Sequence, residues 1–407
     1  MAIDVAGFFD QLLGEVWFEL TFLLVVALFA SFLFARFGQP KVIAYIVIGV
    51  AIGPSLLNII KAPTEGGVSG FPASLEMLAQ LGAIVLLFMI GLECDLKEIY
   101  TKRSIAIAVG GVLLPWGAGY ITADLFGYGA DAIFIGATMV ATSVAVTASV
   151  LNEIGLMGTD VTYAIVGAAV VDDILGMVVL AISKGTSTGG FEVAEISYLI
   201  VVAALFVVAG GWLGSHFLSK LVFNVQISGY RRKMPMSGFV LALAIAFLYA
   251  NVSEILGLSA IVGAFVAGTA FSGSVLRDGF RKGTMYLEAL FVPIFFVSLG
   301  VVVDLGEMWA TIGFGIALTI VAVATKIVGC GIPALLTGMS KMDSLAVGVG
   351  MVPRLEIALV IAYYGLSNEI IGQDVYSVVV FMGLVTAVFT PSLLKSILRK
   401  GGHNVDI

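Results

Sequence analysis

The run "YAIVGAAVVDDILGMVVLAIS" (Tyr163–Ser183) carries two adjacent acidic residues, Asp172 and Asp173, in the middle of an apolar stretch of helical length. An ionised carboxylate at the centre of a bilayer costs about 2.5–3.5 kcal/mol on insertion scales. Nine residues of the run precede the pair and ten follow it, so neither residue is a helix cap. Intramembrane acids are typical of ion and proton pathways, which makes this pair the first candidate functional site.

The composition is that of a polytopic membrane protein. Of the 407 residues, 60% are hydrophobic and only 12% are charged, whereas a soluble domain carries about 25% charged residues. Apolar runs use up the chain, and we therefore expect residues 1–407 to form a single transmembrane unit. Cys94 and Cys330 are too few and too far apart in sequence for a disulfide framework or a metal site. We expect no enzyme activity, no cofactor and no nucleic-acid partner.

Apolar runs between charged or turn-rich breaks predict an all-α protein with about thirteen transmembrane helices. The predicted spans are 16–37, 42–60, 75–92, 104–126, 132–152, 161–183, 196–221, 235–250, 255–273, 286–303, 309–337, 344–366 and 375–397.

The basic residues give an orientation. Sixteen Lys and Arg residues follow odd-numbered spans or lie in the C-terminal tail, and only Lys61 and Lys184 lie on the opposite side. Cytoplasmic loops are rich in Lys and Arg. We therefore expect a multi-pass protein of the cell (inner) membrane, with its N-terminus outside the cell and its C-terminus in the cytoplasm. The remaining two, Lys326 and Arg354, fall inside apolar runs.

The two halves of the chain resemble each other. "LLFMIGLECDLKEI" (86–99) matches "FFVSLGVVVDLGEM" (295–308), with Gly91 opposite Gly300, and "MVATSVAV" from Met139 aligns with "MVPRLEIA" from Met351. Matched spans are seven apart, so they cross the membrane in opposite directions. This pattern indicates an inverted repeat of six helices joined by the seventh span, an arrangement typical of secondary transporters.

Lys326 lies about ten residues or more from either end of its apolar run, roughly 15 Å at helical rise, which is too far for its ammonium to reach the interface. An unpaired ammonium at that depth would lose its proton, so a carboxylate partner is expected. Asp172 and Asp173 lie at a similar depth.

Two matched spans have weak points at matching depth. In "GATMVATSVAVTAS", Thr142 and Ser143 either bond back to the preceding turn or mark an unwound helix whose carbonyls face a cation. In "GMVPRLE", Pro353 removes a helical hydrogen bond. We therefore predict two crossing broken helices, with Arg354 and Glu356 compensating the exposed half-helix ends; direct ion binding by Glu356 is the alternative.

Together, "VVDDILG", the mid-span Lys326, "ATSVAVT" and "GMVPRLEIALVIA" resemble the monovalent cation:proton antiporters, in particular the second cation:proton antiporter family, whose bacterial and archaeal sodium/proton antiporters carry paired aspartates. The resemblance covers nearly the whole chain. It implies the sodium/proton antiporter fold, with a core domain (104–183 and 309–397), a dimerisation or scaffold domain (16–92 and 196–303) and a homodimer.

The resemblance also implies residue roles. Asp173 would bind the ion or proton, and Asp172 would form the salt bridge to Lys326. Thr142 and Ser143 would lie at the unwound crossing and contribute to the ion site. Pro353, Arg354 and Glu356 would support the second break.

This implies exchange of Na⁺ (or Li⁺) for H⁺ at one carboxylate site, with no cofactor besides the transported ions and with alternating access by core-domain movement. Electroneutral members carry Asn-Asp where this chain has Asp172 and Asp173, which favours electrogenic exchange, with Lys326 as a second proton carrier. The twelfth span departs from the family by having Leu355 where glycine is common.

Three alternatives stay open at the level of sequence. One is a K⁺/H⁺ antiporter or potassium efflux system, whose members usually carry a C-terminal nucleotide-binding domain, whereas this sequence stops at Ile407. The second is a sodium-coupled symporter for an organic anion. The third, an intramembrane aspartyl protease, requires aspartates on two helices, and here they are adjacent on one.

Overall fold

A computed structural model of the protein describes residues 16–37, 41–60, 73–93, 101–140, 142–188, 193–256, 258, 260–301, 306, 309, 311–355, 358, 361–362, 365–366 and 370–403. These residues form helices and turns, without a strand among them, which confirms the all-α prediction. Nine of the described helices are long and apolar enough to cross a membrane.

The described residues of the first half of the chain form seven α-helices. They are α1 (Val16–Arg36), α2 (Lys41–Ile52), α3 (Ala73–Glu93), α4 (Lys102–Leu125), α5 (Ala132–Thr138), α6 (Val144–Glu153) and α7 (Asp160–Thr188).

The second half begins with a long connector and repeats the pattern. Its helices are α8 (Val193–Leu213), a π-helical turn (Gly214–Leu218), α9 (Ser219–Arg231), α10 (Ser237–Ile255), α11 (Ala260–Phe271), α12 (Arg277–Val301), α13 (Ile312–Leu336), α14 (Lys341–Gly350) and α15 (Gln373–Lys400).

Local sequence explains where several helices begin. Thr101 precedes α4 and its hydroxyl accepts from the Ser104 N–H at 3.2 Å, while Ser340 precedes α14 and accepts from the Asp343 N–H at 3.1 Å. Both are N-cap hydroxyls, which satisfy donors that a helix start leaves unpaired. These caps fix the two helices that lead into and across the middle of the protein.

Helix packing follows the predicted inverted repeat. In the first half α1 packs on α2 and α4 packs on α5; in the second half α10 packs on α11 and α13 packs on α14. Across the halves, α2 packs on α12 and α11 packs on α3, which are equivalent contacts under the repeat. The repeat-related helices α4 and α13 pack directly on each other, as two elements on a pseudo-two-fold axis must.

Glycines at matched positions make these contacts possible. A Cβ atom at Gly91 would lie 2.9 Å from the Gly268 Cα, and one at Gly300 would lie 2.9 Å from the Gly49 Cα. Small residues allow helix backbones to approach closely in membranes. Gly91 and Gly300 are the pair that the sequence repeat aligned, so their equivalent packing confirms the alignment.

Span limits differ from the predictions most at three spans, one of which is 196–221, where the helix continues through the π-helical turn and α9 to Arg231. Span 42–60 is helical only over Lys41–Ile52, because Gly53 and Pro54 end the helix. Span 286–303 belongs to the longer α12, since the charged segment from Arg277 continues as a helix that leaves the apolar region.

Candidate functional site

Two helices stop in the middle of the protein. α5 ends at Thr138, and α6 begins at Val144 after Ser143, whose extended backbone (φ −79°, ψ 99°) and hydroxyl cap the new helix. α14 ends at Gly350, and residues 352–355 are not helical. Pro353 has no N–H and disfavours helical backbone at the residue before it, so the sequence itself dictates the second break. The prediction of two broken helices is confirmed.

The two breaks are hydrogen-bonded to each other where they cross. The Ser143 N–H donates to the Pro353 carbonyl at 2.6 Å, and the Thr142 hydroxyl donates to the Met351 carbonyl at 3.2 Å. Backbone groups that lost their helical partners are thereby satisfied across the crossing, as an interior without water requires.

One further contact at the crossing comes from a residue that the sequence reading missed. The Thr147 hydroxyl, on the second turn of α6, donates to the Gly350 carbonyl at 2.6 Å, and Thr147 is buried. Its only sequence signal was a third hydroxyl residue five positions after Thr142 in an apolar run. Its donation satisfies a carbonyl at the open end of α14.

Lys326 forms a buried salt bridge with Asp172. Its Nζ lies 2.9 Å from Asp172 Oδ1 and 3.1 Å from Oδ2, and both side chains are completely buried. The same ammonium donates to the Gly111 carbonyl at 2.8 Å and to the Val140 carbonyl at 2.7 Å. The expected partnership of Lys326 with a carboxylate is therefore present, and Asp172 is the partner.

Thr142 connects this salt bridge to the crossing. Besides the Met351 carbonyl, its hydroxyl is within hydrogen-bonding reach of the Asp172 carboxylate. A hydroxyl has one proton to donate. Thr142 can therefore exchange its hydrogen bond between a helix end and a carboxylate.

Asp173 follows Asp172 on α7 and is 5% exposed. Neighbouring residues on a helix point about 100° apart, so the two carboxylates face different surroundings. Asp172 faces Lys326, and Asp173 is turned away from that direction. The two acids therefore have separate environments on one helix.

Arg354 is completely buried at the second break and donates to three carbonyls. Its Nε lies 2.7 Å from the Met139 carbonyl, one terminal nitrogen 3.0 Å from Val352 and the other 3.1 Å from Ala322. Met139 caps the C-terminus of α5, and Val352 follows the C-terminus of α14. One guanidinium thus bridges the negative dipole ends of both half-helices.

The peptide N–H of Arg354 donates to the Thr386 hydroxyl on α15 at 3.3 Å, and Thr386 is buried. No pattern in the sequence singled out Thr386. Glu356, which was predicted to share the support of the break, lies outside the described residues.

The sequence profile of the family described as "Sodium/hydrogen exchanger, transmembrane" matches residues 23–400. The chain belongs to the sodium/hydrogen exchanger family. Two curated relatives agree with this assignment. The Na⁺/H⁺-K⁺ antiporter GerN of Bacillus cereus is 34% identical over 388 residues, covering 94% of this chain and 96% of the relative. The high-affinity Na⁺/H⁺ antiporter NhaS3 of Synechocystis is 33% identical over 419 residues, covering 92% and 89%.

The fold of this exchanger family member is also found among solved structures. The sodium proton antiporter MjNhaP1 from Methanocaldococcus jannaschii superposes with a TM-score of 0.65 over 94% of this chain and 96% of that one, at 17% identity. This likeness shows the fold. The predicted architecture and the predicted resemblance to monovalent cation:proton antiporters are both confirmed.

Proposed function

We propose that this protein exchanges Na⁺ for H⁺ across the membrane. The observation that carries the proposal is a pair of buried acids on α7, beside Lys326 and two crossed half-helices. Carboxylate, hydroxyl and carbonyl oxygens are hard ligands that suit small cations. A carboxylate binds either a cation or a proton, so the two ions compete for one site.

In this proposal Asp173 is the residue that binds the transported ion or the proton. Asp172 holds Lys326 while the site is proton-loaded. Thr142 and Ser143 lie at the crossing, where hydroxyl and carbonyl oxygens complete the ion's shell. Pro353, Arg354 and Glu356 support the break rather than carry protons; Arg354 does not release its proton under physiological conditions. Na⁺ and H⁺ are cargo in this proposal rather than resident cofactors.

Two protons would move against each cation. Asp173 releases one when the cation enters. If Asp172 then turns toward the cation, Lys326 loses its carboxylate and releases the second. Exchange is therefore electrogenic, and a membrane potential drives it.

Na⁺-evoked proton flux in proteoliposomes tests the central claim. Asp173→Ala should abolish it, while Asp160→Ala, at the exposed start of the same helix, should leave it intact. Wild-type flux in the Asp173 variant would refute the assignment. For the second proton, Lys326→Gln should lower the charge moved per cycle, and an unchanged value would exclude Lys326 as a carrier.

Potassium is the second candidate ion, because one relative is named a Na⁺/H⁺-K⁺ antiporter. Replacing Na⁺ by K⁺ or Li⁺ in the same assay at several pH values separates the possibilities. Proton flux evoked by K⁺ in the absence of Na⁺ would support the K⁺/H⁺ antiporter alternative.

Alternating access is proposed to come from movement of a core domain (104–183 and 309–397) against a scaffold domain (16–92 and 196–303), which also forms the homodimer. Among the contacts between the two, the Lys41 N–H at the start of α2 donates to the Glu153 carboxylate at the end of α6, at 3.0 Å. Cross-linking cysteines at positions 41 and 153 should stop exchange. Cross-linking 103 to 337 should not, because Arg103 on α4, one residue before the core begins, contacts the Thr337 carbonyl at the end of α13, and both helices belong to the core.

The membrane location and orientation of the protein are part of this proposal. We propose a multi-pass protein of the cell membrane, with the N-terminus outside and the C-terminus in the cytoplasm, because the basic residues favour that side. Accessibility of single cysteines placed in the loops to an impermeant thiol reagent tests this orientation.

A further inference from the structure

The Lys326 ammonium has three protons, and each has an acceptor. One faces the Asp172 carboxylate, one the Gly111 carbonyl at 2.8 Å and one the Val140 carbonyl at 2.7 Å. Two of these three acceptors are backbone groups, which do not titrate. They remain in place when Asp172 turns away.

Backbone carbonyls inside a helix normally accept from the N–H four residues later. Val140 is free to accept from Lys326 because it lies beyond the end of α5. Gly111 is different, because it lies within α4, which runs unbroken from Lys102 to Leu125. The residue four positions after Gly111 is Pro115, which is buried in the same helix and has no N–H.

Position 111 also has no room for a side chain. A Cβ atom there would collide with the Cys330 Sγ and would lie 3.5 Å from the Lys326 Nζ. Gly111 and Pro115 therefore act together: the glycine lets the lysine approach the helix backbone, and the proline leaves a carbonyl for it.

We propose that Pro115 is a positioning residue for the exchange reaction: by depriving the Gly111 carbonyl of its helical donor, it supplies a fixed acceptor that keeps Lys326 in place and protonated. This inference rests on the proposed function and goes beyond it. It assigns a role in proton release to a residue that touches neither the cation nor a carboxylate.

A proline on the packed partner helix provides a control with the same local chemistry. Pro333 lies in α13, where it deprives the Gly329 carbonyl of its donor. That carbonyl faces the Gly110 backbone of α4 rather than a cation. The same substitution can therefore be made at two prolines that each leave a helix carbonyl without its donor, and only the carbonyl at Gly111 faces an ammonium.

The other ionisable groups near Lys326 are Asp172 with its neighbour Asp173, Arg354 and Cys330. On the described parts of α4, α14 and α15, the other ionisable side chains lie toward the helix ends. A change at position 115 therefore acts on Lys326 and the Asp172 pair, and not on another titrating group.

Pro115→Ala supplies an N–H that competes for the Gly111 carbonyl, so the ammonium is held less well and gives up its proton more easily. The pH profile of Na⁺-evoked flux in proteoliposomes should move to lower pH by about one unit, the effect of weakening one charge-assisted hydrogen bond. Pro333→Ala should leave the profile where it is.

The α-hydroxy analogue of alanine at position 115 separates the missing N–H from the proline ring. This ester has an alanine side chain and no N–H, so it should restore the wild-type profile. A wild-type profile in Pro115→Ala, an equal shift in Pro333→Ala, or a shift that persists in the ester would each overturn the proposal. If Pro115→Ala does not fold, Pro115→Gly, which also supplies the N–H, takes its place and should give the same shift, and an unshifted profile there would overturn the proposal.

The outcome is distinguishable from failure of the proposed function. If the wild-type protein shows no cation-evoked proton flux, the function is wrong. If the wild type is active and the substitutions at positions 115 and 333 behave alike, only the role of Pro115 is wrong.

Discussion

The coupling between Asp172 and Lys326 can be measured as a thermal-stability cycle of Asp172→Asn, Lys326→Met and the double variant. Removing one partner of a buried ion pair costs about 3–5 kcal/mol. Lys326 keeps two carbonyl acceptors when Asp172 becomes Asn, so the stability loss of that variant should lie near the lower end of this range. In Lys326→Met the Asp172 carboxylate loses its bidentate partner, and the cost falls at low pH because protonation neutralises the acid.

The double variant leaves neither charge unpaired, so its loss should be smaller than the sum of the single losses by at least about 2 kcal/mol. At about 2 °C per kcal/mol, each single variant should melt roughly 6–10 °C below the wild type. The assay is thermal unfolding of the detergent-purified protein at one fixed scan rate, since irreversible unfolding makes the melting temperature depend on the rate.

A matched cycle on Glu93 and Arg281 controls for charge removal as such. Their side chains lie 2.7 Å apart, but Arg281 is 50% exposed. Exposed pairs contribute about 0–1 kcal/mol. For independent sites, the stability loss of the double variant equals the sum of the two single losses to within about 0.5 kcal/mol. If the Asp172 and Lys326 variants behave in this way, the two groups are not coupled and the buried pair does not exist as described.

Three further predictions concern the surroundings of the site. Arg354→Ala should cost about 3–5 kcal/mol, because it leaves carbonyls at two helix ends without donors, and Arg354→Lys should recover less than half of that melting-temperature loss. Gly300→Ala should destabilise by about 1–3 kcal/mol through a backbone clash, whereas Gly313→Ala, with open space around it, should not destabilise. Partial burial, and then the Asp374 carboxylate, raise the pKa of Asp131. The protonated form of Asp131 therefore stabilises the folded protein at pH values below the ordinary aspartate pKa. This stabilisation is lost as the pH rises through the raised pKa. Asp131→Asn should therefore raise the melting temperature near neutral pH and leave it unchanged at acid pH.

The placement of the charges was predictable because the membrane restricts the options. Lys326 was too deep to reach water, and Asp172 and Asp173 were the acids at its depth, so a salt bridge followed from depth alone. Pro353 located one break by its chemistry. The repeat then placed the other break near Thr142. The hydroxyl residues there would not by themselves have distinguished a broken helix from a continuous one.

The satisfaction of backbone groups was not predictable. The sequence gives no sign that Arg354 donates to Met139, Val352 and Ala322, because those acceptors are carbonyls and every residue has one. The contact of Thr147 with the Gly350 carbonyl was equally unpredictable, because its acceptor is also a backbone carbonyl. Such contacts depend on how two distant chain segments cross, and apolar periodicity carries no information about that.

The charge balance of the site explains why two basic residues accompany two acids in the proposed exchange. With two protons bound, Asp173 is neutral and Asp172 balances Lys326, so these three groups have no net charge. With a cation bound and both protons released, the same groups and the cation carry one negative charge. Arg354 keeps its own positive charge in both states, because carbonyls hold it and it does not release its proton. The whole site then alternates between one positive charge and none, so neither state buries more than one uncompensated charge. The difference of one charge between the states is what a membrane potential acts on.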